Sequence, residues 1–353
     1  MLNYHDGNDL RKTIAYVKKK SSYDLSLIFH NIIKRINLSD LISRLNLYYI
    51  LDDSDTAFEC KKNNNAIFSY LFYEELFEYS IKKILMVPEE FDIFIATDSA
   101  LKAQLLSKII KRKSNRAIKI VVTGGRGRDI ASLLVTFKKE IVNYKIIGFI
   151  HDKKSRHLNY QTIGDSYNLH LWENMLYGPN YIKKILKIFD NNLEIGFLSP
   201  DYVTYGNYFH TSINLWTICY EDCLKIAEKL GLQVDFDKNK NPVSLGSCFW
   251  ARVEALDKLF DLSLNYSDFP GEPFDVDGTI SHVIERLIPY IAQDKGYLTG
   301  YISCVSQAET EIVMHEYMLD ILLKALFKGQ KLDYSTFNNM INSIETNRGE
   351  EEK

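Results

Sequence analysis

The sequence predicts an α/β protein: a mostly parallel sheet flanked by helices, with a helical N-terminal segment. Three observations predict it. Nearly unbroken apolar runs, FDIFIAT at 91–97, AIKIVVT at 117–123 and KIIGFI at 145–150, alternate with helix-like segments. Strands covered on both faces read as such runs, and strand–helix alternation implies parallel pairing. Each run also ends in a charged loop, which is where open α/β sheets bind ligands. Finally, 46% apolar and 25% charged residues over a 353-residue chain are the proportions of a globular protein with a sizeable core.

Taken in order, the first sixty-odd residues read as short amphipathic helices broken by Ser, Asp and Asn. The one strand-like run there is Tyr48–Leu51. Basic residues cluster at Arg11, Lys12, Lys18, Lys19, Lys20, Lys34 and Arg35, which suits a solvated helix face or a peripheral membrane contact. KKNNN at 61–65 is the linker candidate, so the expected division is a helical segment 1–64 (a candidate remnant of a preceding domain), a main domain 65–335, and a charged tail 336–353. Within the main domain, strand 91–97 leads to helix 101–110. Strand 117–123 leads through GGRGRD to helix 130–141, and strand 145–150 delivers HDKKS. Residues 156–192 look irregular apart from a helix near 181–189. A strand at 193–198, a helix at 219–230 stopped by Gly231, a helix at 253–260 and a strand at 297–303 follow. An amphipathic helix at 311–327 is expected to pack back on the core.

A formal charge of -3 argues against a nucleic-acid partner. Five cysteines, an odd number, read as reduced thiols of a cytoplasmic protein. No run approaches the roughly 18 apolar residues of a span, so membrane contact is expected to be peripheral, at the inner face of the cell membrane.

Three stretches carry chemistry. GGRGRD at 124–129 sits between strand and helix, where backbone amides can meet an anion, and Arg126 and Arg128 add guanidinium forks for phosphate oxygens. Its plainer reading is a tight turn with Asp129 as helix cap. HDKKS at 151–155 brings His151, Asp152, Lys153 and Lys154 to a strand end, level with Thr97 and Asp98. Two ammonium groups there can neutralise a leaving diphosphate, unless the stretch is simply a lysine-rich surface turn. Asp268, Glu272, Asp275 and Asp277 fall within ten residues on a loop broken by Pro and Gly, just before a helix carrying His282, Glu285 and Arg286. Such a loop presents acid/base groups, or is a solvated acidic turn. The Glu285–Arg286 pair reads as structural support for it.

The spacing D-F-P-x-E-x4-D-G-T-x2-H-x2-E-R over 268–286 resembles the signature of the rhamnan synthesis F family of bacterial cell-wall polysaccharide assembly. Gly127-Arg128-Asp129 and GSCFWAR at 246–252 resemble further motifs of that family. HDKKS departs from its usual His-x-Lys-Lys-Ser, because the second residue is charged. The resemblance runs from about residue 66 to the helix near 327. It implies a GT-A-like glycosyltransferase moving rhamnose from dTDP-rhamnose or a related nucleotide sugar onto a lipid-linked glycan. Asp277, then Asp268 or Glu272, would be the base. Thr97, Asp98, Arg126, Arg128, Asp129, His151, Lys153 and Lys154 would bind donor. Trp250 (a sugar-stacking face, or core), Arg252 and His282 would bind acceptor. GT-A enzymes that use metal carry Asp-x-Asp after this strand. Here only Asp152 stands there, so metal-independent transfer is expected, with Mg or Mn able to enter only through Asp152. Two readings stay beside this one: a non-catalytic glycan-assembly module with a transferase-like fold, and a nucleotide-binding regulator built on GGRGRD.

Overall fold

The structure is a computed structural model describing residues 30–327 except 63, 155–160, 204–214, 245, 274 and 276, with a few isolated residues towards either end. One sheet organises it. Its strands are β1 (Tyr48–Leu51), β2 (Asn65–Tyr70), β3 (Asp92–Thr97), β4 (Lys119–Val122), β5 (Ile146–His151), β6 (Ile195–Ser199), β7 (Phe249–Arg252) and β8 (Leu298–Cys304). They lie in the order β1-β8-β6-β7-β5-β2-β3-β4. Only β7 runs antiparallel, against β5 and β6, while the other pairings are parallel. The expected α/β class with a mostly parallel sheet is therefore what forms.

Topology locates the site. From β2 the chain steps outward to β3 and β4, then returns to place β5 on the other side of β2. Strand order reverses between β2 and β5, and ligands of open α/β sheets bind at such a switch point beyond the carboxyl ends. Every residue of β2, β5, β6 and β8 is buried, so both faces of the sheet are covered. Gly148 of β5 is needed for this packing. A Cβ there would lie 2.5 Å from Ile67 Cδ1 and 3.1 Å from the Trp250 ring of the neighbouring strand.

Helix Ile280–Asp294 carries the site from beneath. Thr279 caps it in a reciprocal capping box with His282, and nearly all of its side chains are buried, charged ones included. Residues 156–192, expected to be irregular, instead hold a helix Gln161–Met175 ahead of Pro179–Asn191. Its inward side carries Asn168, His170 and Asn174, all buried, alongside Leu171 and Trp172. Buried polar groups interrupt the apolar stripe by which such a helix is recognised. The helix expected at 130–141 is broken into Arg128–Ala131, a π-turn Ser132–Thr136 and Lys138–Ile141. That expected at 253–260 is a 3-10 turn followed by Asp257–Asp261.

Ahead of residue 64, helix Leu38–Leu45 is capped by the Asn37 side chain and ended by Asn46 in the left-handed region. It buries Leu38, Leu41, Ile42 and Leu45, and β1 pairs with β8, so both elements share the sheet and its core. The chain divides into two compact units, Met1–Ala308 and Glu309–Lys353. Helix Val305–Phe327 runs into the second, where Ile312, Val313, Tyr317 and Leu322 are exposed. Among the described residues no helix is long and apolar enough to cross a membrane. Arg11, Lys18 and the charged tail from 340 lie outside the described residues.

Candidate functional site

At the switch point Asp152 is turned inward. Its Oδ1 accepts from the Phe72 amide at 3.0 Å, and its Oδ2 from the Phe72 and Tyr73 amides at 2.9 Å each. Burial pushes its carboxyl up to about 7, although both amide bonds and the neighbouring His151 and Lys102 act to lower it. This carboxylate holds the loop after β2, with both of its oxygens turned to backbone amides. Among the described residues no group of three His, Cys, Asp or Glu side chains could hold one. Next to it, Asp98 pairs with Lys102 at 2.9 Å, and the Lys102 ammonium lies 3.7 Å from the centre of the Phe72 ring. Thr97 is fully buried behind them.

His151 is also committed. Its Nε2 is 2.5 Å from the Gly246 carbonyl and its Nδ1 3.0 Å from that of Asp152, with Asp129 Oδ2 3.6 Å away. Glu285, from the helix beneath, accepts from the Gly246 amide, so this peptide is clamped from both sides. The two lysines then diverge. Lys154 pairs with Glu75 at 2.7 Å. Lys153 instead turns towards the interior, 5.3 Å from the Tyr167 ring centre, with its backbone amide on Asn168 Oδ1. Burial works against the Lys153 charge, but Glu285, Tyr167 and Asp129 outweigh it and raise its pKa. No ion pair within 4 Å ties up this ammonium among the described residues.

The glycine loop and the acidic loop build one wall. Gly127 has φ 71°, and a Cβ there would lie 2.5 Å from the Phe269 ring; Gly124 faces Tyr266. Arg128 and Glu272 form a two-pronged pair at 2.6 and 2.7 Å. Arg126 is exposed, with its guanidinium beside Gly271. Asp268 accepts from the Asn265 amide at 2.7 Å and closes a short 3-10 turn. Asp129 is not the cap of the short helix after the loop: Gly127 holds that position, Asp129 is the helix's second residue, and its side chain faces His151.

Asp277 is the most heavily bonded carboxylate. Oδ2 accepts from Thr217 Oγ1 and, at 3.1 Å, from Arg286 Nη2; Oδ1 accepts from the Gly278 amide at 2.9 Å and from Cys219 Sγ at 3.3 Å. Burial would raise its pKa, yet the bonds from Thr217, Arg286, Gly278 and Cys219 bring it below the usual carboxylate value. His282 stands one turn into the helix, its Nδ1 2.9 Å from Thr279 Oγ1 and 3.9 Å from Asp277 Oδ1. Burial depresses its pKa, helped by Arg286 and Lys153 and opposed by Glu285 and Asp277, which keeps it neutral at pH 7.

Two expected acceptor residues are elsewhere. Trp250 is fully buried in the sheet, its Nε1 donating to the Met175 carbonyl at 3.3 Å. Strands alternate their side chains, and this one points into the layer rather than beyond a strand end. Arg252 lies at the far, amino-terminal edge because β7 runs backwards; it donates to the carbonyls of Phe189, Ile195 and Asn192. There it lines a cavity of about 320 Å³ with Asn65, Lys145, Ile146 and Leu186. Thr217, Cys219, Tyr167 and Asn168 are the site neighbours that sequence reasoning missed, since each reaches the site only through long-range folding. Arg286 supports the acidic loop through Asp277, as expected of the pair, whereas Glu285 holds the Gly246 peptide instead.

The sheet, with lysine, arginine and a carboxylate–histidine pair gathered at its switch point, defines an α/β protein. Comparison with known families is more specific. The family model for rhamnan synthesis protein F matches residues 4–297, and the chain belongs to that family. It is also similar to the uncharacterized protein WxcX of two strains of Xanthomonas campestris pv. campestris, 26% identical over 259 residues in each case. The match takes in 69% of this chain and 33% of the relative, so the chain spans about a third of the length of the curated relatives it matches.

Proposed function

We propose that this chain is a glycosyltransferase of bacterial polysaccharide synthesis, with a GT-A-like fold. In this reading it moves rhamnose from dTDP-rhamnose or a related nucleotide sugar onto a lipid-linked glycan at the inner face of the cell membrane. Membership of the rhamnan synthesis family gives the pathway. The single observation that carries the chemistry is the Lys153 ammonium, inward-facing and without an ion-pair partner among the described residues, beside the β2–β5 switch point. Lys153 and Arg126 neutralise the diphosphate, while the Asp277–His282 side of the site receives the acceptor hydroxyl. Asp152 does not fit a metal ligand, so positive charge on the leaving group comes from side chains.

A panel of nucleotide sugars tested by thermal stabilisation checks this. A ligand at 100 times its dissociation constant adds about 2.7 kcal/mol, and transfer to a rhamnosyl lipid should follow for the one that binds. The second reading, a non-catalytic assembly module, draws on the mutual pairing of Arg128 with Glu272, Lys154 with Glu75 and Lys102 with Asp98. Donor binding without transfer to any rhamnosyl acceptor would favour it.

A further inference from the structure

We propose that the cavity at the amino-terminal edge of the sheet is a second binding site, for a small hydroxylated anion, separate from the switch point. It lies at the opposite ends of the strands. β5 runs from Ile146, in the cavity wall, to His151, which sets the two places about 17 Å apart. At about 320 Å³ the cavity falls at the small end of the range that ligand sites occupy. The inference does not depend on the transferase reading. The sheet fixes the polar floor: Asn65 opens β2, Ile146 opens β5, Arg252 closes β7, and Ile146 pairs with both of the others. Asn65 is 6% exposed, yet its side-chain amide has no hydrogen-bond partner among the described residues. A buried amide is costly to leave unpaired, and a ligand in the cavity that this residue lines would satisfy it.

Arg252 divides its guanidinium between fold and cavity. Nε donates to the Ile195 carbonyl and Nη2 to those of Phe189 and Asn192, while Nη1 has no partner among the described residues. These bonds, with the Phe189 ring centre 5.5 Å from the guanidinium carbon, hold the group in place, so Nη1 meets a ligand at little ordering cost. Lys61 and Lys145, both exposed, add two ammonium groups, and the exposed Glu59 and Asp190 complete the rim. Among the described residues no ion pair within 4 Å joins either carboxylate to any of these three cations. Unpaired charges of both signs around one cavity suit a ligand with an anionic group for the amide, guanidinium and ammonium donors, and hydroxyls that donate to the two carboxylates. Phe58 and Leu186 give an apolar wall for its carbon skeleton. Phosphate and carboxylate serve equally as the anionic group, so sugar phosphates and sugar acids share the chemistry. A bare inorganic anion lacks the hydroxyl donors and meets Glu59 and Asp190 as like charges.

The test titrates the full chain by calorimetry with glucose 1-phosphate, glucuronate, methyl glucoside and inorganic phosphate. At least one of the two sugar anions should bind with a dissociation constant below about 1 mM, and methyl glucoside and inorganic phosphate about tenfold more weakly or worse. Lys145→Glu, an exposed change, and Asn65→Asp, close to isosteric, should each weaken that binding by about tenfold or more, the scale of one hydrogen bond to a charged group. If Asn65→Asp fails to fold, Lys61→Glu, also exposed, takes its place beside Lys145→Glu. Failure of both sugar anions to bind overturns the proposal. Binding that Lys145→Glu leaves unchanged and Lys153→Ala removes also overturns it, because the anion then sits at the switch point. Inorganic phosphate bound as tightly as the sugar anions overturns the role given to the hydroxyls and leaves an adventitious ion only.

Discussion

Arg128 and Glu272 meet in a two-pronged ion pair across 144 residues of sequence, Nε to Oε1 at 2.6 Å and Nη2 to Oε2 at 2.7 Å. The pair locks the glycine loop to the acidic loop and occupies a guanidinium that could otherwise meet phosphate. Each side chain is 38% exposed, so solvent screens the pair and its worth to stability is at most about 1 kcal/mol. Glu272→Gln should therefore leave the urea midpoint almost unchanged while tightening dTDP-rhamnose binding severalfold. Weaker binding would mean that the pair positions Arg128 for the ligand rather than withholding it.

The two lysines after β5 should separate cleanly. Lys153 faces Tyr167 and the charges of Glu285 and Asp129, whereas Lys154 is held by Glu75. Lys153→Ala should cost donor affinity and at least tenfold in kcat; Lys154→Ala should stay within about threefold of wild type. Steady-state kinetics on both variants decide it, and equal losses would return Lys154 to the site.

Most of the sheet was legible because β3, β5, β6 and β8 are largely covered on both faces and must therefore be mostly apolar, whereas β2 and β7, on either side of β5, were not picked out as strands. Helix Gln161–Met175 was not legible, because Asn168, His170 and Asn174 are buried through specific partners that no local pattern announces. The site divides the same way. HDKKS, GGRGRD and the acidic loop are local signals, and all reach the carboxyl edge. What each side chain does there depends on neighbours brought from afar. Thr217 and Cys219 saturate Asp277, and the reversed direction of β7 carries Arg252 to the wrong edge, which cannot be read from GSCFWAR.

Trp250 and Arg252 should accordingly behave as structural residues. Trp250→Ala should cost about 3–5 kcal/mol, the usual loss for a large buried aromatic. Arg252→Ala leaves the carbonyls of Phe189, Ile195 and Asn192 without this donor, at about 1–3 kcal/mol. Urea titration gives both values. Folded Arg252→Ala should transfer sugar with an unchanged KM for acceptor, and a raised KM would restore it to the binding surface.

Stability below neutrality pits Asp152 against the histidines. His170 and His282 both have depressed pKa values, chiefly through burial, so the unfolded chain binds protons more readily and stability falls as pH drops below 6.5. Asp152 has the opposite sign. Its folded value of about 7 lies above the unfolded 3.8, so its contribution grows as pH falls through that window. Asp152→Asn removes the compensation, and its stability should decline more steeply than wild type between pH 7 and pH 5. Parallel urea midpoints across that range would show that Asp152 is already ionised at pH 5.

Chelation tests the same carboxylate from another side. A metal-dependent transferase needs an ion against the leaving diphosphate, held by carboxylate oxygens with free lone pairs. Asp152 spends both oxygens on the Phe72 and Tyr73 amides, and an ion beside Lys153 would meet repulsion of about 1–4 kcal/mol per charge near 4 Å, more for a divalent ion. Transfer should therefore survive EDTA and fall steeply in Lys153→Ala, with the charge on the leaving group carried by that ammonium. Abolition by EDTA with rescue by manganese or magnesium would require Asp152 to release the loop after β2, making it a ligand and Lys153 a bystander.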